Sequence, residues 1–308
     1  MTRILITGAS GLLGLNLALE AGRVHEVTGV DRNTLNSAPF RVIKADLLNP
    51  DAIIRILKES NPEAIIHCAA IADLDACESN PYLASQVNTE LPSRLADECA
   101  RRKIRLVHIS TDAVFNGQKT GYYSESDLPN PNGVYSTTKY EGEKAVLQVN
   151  PAAIVARVNF YGWSLSGKRS LAEFFVNNLS NGRTVNGFTD VTFCPMLVNQ
   201  LGEILIKMLE RGLHGLYHVV GPQAMSKYQF GVEIARKFGL RESLISPQSV
   251  DKSSLTAHRS HNLWLSTHKL STDLHQVMPD FSTGLDMFYT QFQQGYPQKI
   301  RSYQQKWR

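Results

Sequence analysis

The run Ile4-Leu5-Ile6-Thr7-Gly8-Ala9-Ser10-Gly11-Leu12-Leu13-Gly14 constrains this chain more than any other stretch. Its first part is short, apolar and unbroken, as a parallel strand buried on both faces requires. From Leu12 to Ala21 the apolar residues recur at helical spacing. Three glycines therefore occupy a strand-to-helix turn. There a missing Cβ permits a tight reversal and lets backbone approach a diphosphate. The free N–H groups and positive dipole end of the adjoining helix would face the same anion. The spacing is Gly-x-x-Gly-x-x-Gly rather than Gly-x-Gly-x-x-Gly, so the turn gains its weight from its position and from the second strand and its terminal acid.

The alternation continues. Strands are expected at 3–7, 24–30, 41–45, 63–67, 104–109 and 153–157, and helices at 12–21, 50–60, 81–102 and 134–149. This order predicts an α/β fold, a doubly wound parallel sheet of the Rossmann type over residues 1–160, with ligands at the carboxyl ends of its strands. Gly8, Asp31, Asp46, Ala69 and Thr111 each come just after a strand, so all should face one crevice. After residue 160 the pattern changes to a helix at 170–180, a loop at 191–195, a helix at 197–209, a strand at 215–221 and a helix at 226–238 with Ser226 as N-cap. A smaller substrate-binding lobe is expected over 161–308, with 195–221 a candidate to rejoin the main sheet.

Two features suggest chemistry. Asp31 ends the second strand, roughly 20 residues past the turn, where an acid for the adenosine ribose hydroxyls is expected. Arg32 beside it offers a partner for a 2′-phosphate instead. The pair favours NAD and leaves NADP open. Further on, Tyr135 and Lys139 are spaced to share one helix face. A fixed cation near a phenol favours the phenolate and lowers a pKa that is ordinarily about 10, toward the range useful for acid–base catalysis. Alone, such a pair is usually an aromatic and a charge on a solvated helix.

Composition excludes several classes. With 308 residues, 43% hydrophobic and 19% charged, the chain reads as an ordinary globule with a large core. A net charge of +4, with basic residues gathered at Lys299, Arg301, Lys306 and Arg308, reads as a solvated tail and not as a nucleic-acid surface. No run is apolar enough to span a membrane, and residues 1–15 serve as strand and turn, so no signal peptide is expected. Cys68, Cys77, Cys99 and Cys194 show neither metal-ligand spacing nor a paired framework. Reduced thiols, no metal and a cytoplasmic setting are the expectation. His67 and His108 lie within apolar strands and read as satisfied core histidines.

Taken together, many segments resemble the extended short-chain dehydrogenase/reductases, and within them the dTDP-4-dehydrorhamnose reductase branch. The segments are Thr7 to Gly14, Ala45-Asp46-Leu47, Ile66 to Ile71, Asp75 to Glu78, Asn80-Pro81, Val87-Asn88, Ile109 to Gly117, and Tyr135 to Glu143, with Tyr123, Glu125, Pro129 and Pro131 between. The resemblance implies residue roles. Gly8, Ser10, Gly11, Leu12, Leu13 and Gly14 would form the diphosphate turn. Asp31 and Arg32 would select the ribose, and Asp46 and Leu47 would meet the adenine. Ala69, Ala70, Asn88 and Ser110 would lie near the nicotinamide end. Lys139 would hold the nicotinamide ribose, Tyr135 would donate the proton, and Thr111 would grip a substrate carbonyl beside it. Asp112, Asn159, Phe160 and Trp163 are implied as substrate contacts, with an aromatic core residue an equally open reading of Trp163. For Thr111, strand-end polarity is the plainer reading of the residue itself, and for Asn88 a packing amide is. The implied reaction is NAD(P)-dependent reduction of a keto group on a nucleotide-linked sugar or related small molecule. The partners are that small molecule and, as an open option, a second copy of the chain.

Departures cluster in the substrate lobe. Arg157 to Trp163 stands where the branch carries an Arg-Thr-Ser-Trp run, Phe160 replaces a tryptophan, and Ser164 to Ser170 lacks an Asn-rich run. Arg259-Ser-His-Asn262 replaces an Arg-Pro-x-Asn pattern. These leave the substrate open. An epimerase or dehydratase of the same group is one alternative, although Asp112-Ala113 lacks the acidic pair usual in dehydratases. A regulatory subunit like the beta subunit of methionine adenosyltransferase, which resembles the same branch, is the other.

Overall fold

A computed structural model of the chain describes residues 1–253 and 260–304. Arg259, Lys306 and Arg308 lie outside these residues. The amino-terminal half runs β1 (Arg3–Thr7), α1 (Leu12–Ala21), β2 (Glu26–Asp31), β3 (Arg41–Lys44), α2 (Pro50–Ser60), β4 (Ala64–His67), α3 (Leu74–Ser79), α4 (Pro81–Ser85), α5 (Leu91–Arg102), β5 (Arg105–Thr111), α6 (Val134–Val149) and β6 (Ile154–Val158). The rest runs β7 (Phe160–Tyr161), α7 (Leu171–Ser180), β8 (Val185–Phe188), β9 (Thr192–Phe193), β10 (Met196–Leu197), α8 (Val198–Glu210), β11 (Gly215–Val219), β12 (Met225–Ser226), α9 (Lys227–Lys237), β13 (Ile245–Gln248), β14 (Asn262–Leu263), α10 (His268–Leu274), α11 (Phe281–Gln293) and α12 (Tyr296–Ser302).

Seven parallel strands form the main sheet in the order β11-β6-β5-β4-β1-β2-β3. The unbroken apolar run of β1 now has its reason. Ile4 and Ile6 point into one core with α1, α8 and α10, while Leu5 points into another with α2 and α5. A strand covered on both faces has no solvent side for a polar residue. The chain lays down β1, β2 and β3 in one direction, then crosses to place β4 on the other side of β1. That reversal opens a crevice above β1 and β4. The segment 195–221 does rejoin this sheet: β11 pairs in parallel with β6, from Gly215 opposite Ile154 to Val219 opposite Val158.

A separate apolar cluster lies under α7, α9 and α11, and includes Phe175, Phe230 and Phe288. The helices begin where the residues dictate. Ser170 and Ser226 each complete a capping box, with Glu173 and Gln229.

Two expectations are corrected. Residues 81–102 do not form one regular helix. Gln86–Glu90 widen into a π-turn between α4 and α5. Pro92, in the first turn of α5, has no N–H to give to a preceding carbonyl, which accounts for the break. Residues 191–195 are not simply a loop: β9 pairs antiparallel with β12 and parallel with β14.

Candidate active site

At the reversal of strand order, Gly8 (φ +68°) sits so close to the end of β4 that an added Cβ would stand 2.8 Å from the Ala69 nitrogen. A Cβ on Gly14 would stand 2.1 Å from the Gly8 carbonyl oxygen. The glycines are thus required by close packing as well as by the open face they leave. α1 starts at Gly11 with no side-chain cap and no acid in its first turn. Its free N–H groups face a cavity of about 520 Å³.

That cavity collects most of the residues singled out in the sequence. Gly8, Ser10, Gly11, Leu12, Leu13, Gly14, Asp31, Arg32, Asp46, Leu47, Ala69, Ala70, Ser110, Thr111, Asp112, Tyr135, Lys139, Asn159 and Phe160 all line it. The Asp31 carboxylate accepts from the Ser10 N–H and hydroxyl, each at 2.9 Å, and so also braces the turn. Asp46 accepts from the Leu48 N–H at 3.0 Å. Arg94 donates to the Leu47 carbonyl at 3.1 Å, fixing the far wall.

Two residues lie elsewhere. Asn88 is buried in the π-turn. Its side chain accepts from the Ile71 N–H at 3.0 Å and donates to the Ile71 carbonyl at 3.1 Å. It shapes the wall segment behind Ala70 without reaching the cavity, so the packing amide is the better description. Trp163 is 2% exposed and stacks on Phe288 with ring centroids 4.1 Å apart, its indole N–H donating to the Phe288 carbonyl. It is a core residue and not a substrate contact, because α11 covers it.

Thr111 ends β5, Tyr135 and Lys139 lie on α6, and the three meet at one end of the cavity. Burial pushes the Tyr135 phenol up to about 12, against the neighbouring Thr111 hydroxyl, which lowers it. The expected lowering by Lys139 does not govern. The Lys139 ammonium is buried and donates to the Ile109 carbonyl at 2.6 Å, and burial brings it down to about 8, opposed by Glu143. Asp112, also buried, is raised to about 6 by desolvation, although it accepts from Asn159 at 2.5 Å and from Thr111 at 3.1 Å.

Beneath this group lie residues that strand and helix patterns did not single out for a role. Glu143 accepts from the Ser110 hydroxyl at 2.5 Å and pairs with Arg157 at 2.7 Å. Its place one helical turn after Lys139 was the available signal. His67 accepts from or donates to Thr7 at 2.7 Å and stacks on His108. Burial, with Lys139 close by, takes His67 down to about 3 and His108 well below its ordinary range. Both are neutral core histidines, but no protein group bonds the His108 ring nitrogens among the described residues.

A second, smaller cavity of about 230 Å³ opens beyond Tyr135. It shares Ala72, Thr111, Asp112, Tyr135 and Asn159 with the first, and adds Glu78 and Ser260, from segments compared with the family pattern, and Lys227, which opens α9 and lies outside them.

The profile of the RmlD substrate binding domain matches residues 1–294. The chain belongs to the RmlD substrate binding domain family. The probable low-salt glycan biosynthesis reductase Agl14 of Haloferax volcanii is 34% identical over 78% of this chain and 81% of its own length. The beta subunit of methionine adenosyltransferase 2 from Bos taurus is 33% identical over 88% of this chain and 82% of its own. Among solved structures, the dTDP-4-dehydrorhamnose reductase of Bacillus anthracis in complex with NADP superposes with a TM-score of 0.85 at 25% identity, covering 94% of this chain and 99% of that one. The RmlD-family chain is an extended short-chain dehydrogenase/reductase, by class an NAD(P)-dependent oxidoreductase. Its glycine cradle, uncapped helix start and Asp31 fit a dinucleotide at the larger cavity.

Proposed function

We propose that the protein reduces a keto group on a nucleotide-linked sugar, with Tyr135 as proton donor, in a cytoplasmic setting suited to its unpaired thiols. The observation that carries this reading is the shared wall. Thr111 and Tyr135 border both cavities, so a ligand in the smaller one would present its carbonyl between these hydroxyls and a coenzyme in the larger one. The likeness to a glycan biosynthesis reductase and to a dTDP-4-dehydrorhamnose reductase supports the substrate class.

A bound nicotinamide coenzyme supplies the hydride that adds to the carbonyl carbon. The protein's part is at the oxygen. Thr111 and Tyr135 donate hydrogen bonds to it, Thr111 giving up Asp112 as its acceptor, and these bonds strengthen as negative charge develops there. The phenol proton then passes from Tyr135 Oη to that oxygen, completing the alcohol, and solvent restores the phenol. Lys139, held by the Ile109 carbonyl, places a cation beside the transient phenolate. With a phenol raised to about 12, Tyr135 keeps its proton until the hydride arrives.

The deciding experiment monitors oxidation of NADH and NADPH against a panel of keto-sugar nucleotides. Turnover of one of them, lost in Tyr135→Phe, is the expected result. The methionine adenosyltransferase relative favours a second reading, a coenzyme-binding regulatory subunit. No turnover across the panel, with a partner enzyme copurifying in equal amounts, would replace the first reading by this one.

A further inference from the structure

Three cationic residues line the larger cavity: Arg32, Lys139 and Arg169. Arg32 comes directly after the end of β2, on the side expected for the adenosine. Lys139 is buried on α6 and committed to the Ile109 carbonyl. Arg169 comes from the other lobe, in the segment 164–170 that departs from the family's Asn-rich run. No apolar periodicity could mark it.

This segment is anchored at the start of α1. Asn16, one turn into that helix, donates to the Leu12 carbonyl at 2.8 Å and to the Trp163 carbonyl at 2.9 Å. From Trp163 the chain passes over a buried carboxylate. Glu173, 0% exposed, accepts from the Ser164 N–H at 2.7 Å, the Ser164 hydroxyl at 2.6 Å and the Arg169 N–H at 3.1 Å. Gly167 turns the chain with φ +70°, packed where an added Cβ would stand 2.6 Å from the Arg301 guanidinium. The backbone at Arg169 is therefore fixed, and the residue lines the cavity with no ion pair among the described residues.

We infer that Arg169 is a coenzyme-binding residue that pairs with the diphosphate of a nicotinamide dinucleotide, across from the start of α1. Helix N–H groups meet the anion from the sheet side, and the guanidinium meets it from the substrate lobe. Both halves of the molecule then hold one ligand. Arginine suits this role because its planar fork matches phosphate oxygens in pairs. The inference rests on the proposed function only in taking a nicotinamide dinucleotide as the occupant.

The test uses the full chain and the variants Arg169→Gln and Arg169→Lys, with dissociation constants for NADH, NADPH and ADP-ribose measured by titration calorimetry. The Gln variant is expected to weaken all three about tenfold or more, with the Lys variant in between, because a charge-assisted bond is lost. Melting of the free protein should hold steady, since the side chain is exposed. Unchanged constants for all three, with tight binding to the parent protein, would overturn the role of Arg169 and leave the reductase reading standing. A loss confined to NADPH would also overturn it, assigning the guanidinium to the 2′-phosphate. Failure of the parent protein to bind any of the three would remove the coenzyme reading and this inference together.

Discussion

Arg157 and Glu143 form a bidentate ion pair closed to solvent, with Nε 2.9 Å from Oε1 and Nη2 2.7 Å from Oε2, and side chains 2% and 3% exposed. Arg157 stands on β6 and Glu143 on α6, so the pair bolts the helix carrying Tyr135 and Lys139 to the sheet. Ser110, on β5, donates to the same carboxylate. Removing one partner strands a buried charge. Arg157→Met alone is expected to cost about 3–5 kcal/mol, and Arg157→Met with Glu143→Leu distinctly less. Denaturant unfolding of the two variants checks this, and equal losses would show that the charge pairing is not what holds α6.

Tyr135→Phe should lower kcat by about a hundredfold or more, the usual contribution of a positioned proton donor. Coenzyme affinity should stay within about twofold of the parent protein, since the group beside the phenol is the Thr111 hydroxyl. Steady-state rates and a coenzyme titration on the same preparation separate the two effects.

Two ionisations should mark the pH profile of kcat/KM, near 6 for Asp112 and near 8 for Lys139, with the phenol at about 12 outside the working range. The step near 6 should vanish in Asp112→Asn. Stability shifts with a definite sign. The native Asp112 carboxyl holds its proton to about 6 against an ordinary 3.8, so its contribution falls as pH rises across that window. Native Lys139 releases its proton near 8 against an ordinary 10.5, so between those values the unfolded chain binds more protons and the Lys139 contribution rises with pH. Melting temperatures of Asp112→Asn and the parent between pH 4 and 7 test the first of these.

Trp163→Ala should destabilise the fold by about 3–5 kcal/mol through loss of its stack on Phe288. The KM for a sugar substrate should move little. A large rise in KM with intact stability would return Trp163 to the substrate site.

Gly14→Ala should be poorly tolerated, because its new Cβ would meet the Gly8 carbonyl at 2.1 Å, a backbone atom that cannot swing away. A loss of about 1–3 kcal/mol is expected, together with loss of coenzyme binding. Circular-dichroism melts and a coenzyme titration read both.

Sequence alone determined the parallel sheet, because β1 and β4 are apolar on both faces and only a doubly covered strand tolerates that. It also determined the glycine turn and put Thr111 on the same edge, since strand ends in such a sheet share one edge, while the meeting of Thr111 with Tyr135 and Lys139 of α6 was what the family resemblance implied. Tertiary structure decided the rest. Trp163 and Asn88 have side chains suited to binding, yet α11 covers one and the Ile71 backbone occupies the other. The charge states at the site likewise depend on burial, which lifts Tyr135 where helix spacing alone suggested that Lys139 would lower it. Arg169 shows the same limit from the other side: its position is set by Glu173 and Asn16, contacts that no local period in the chain records.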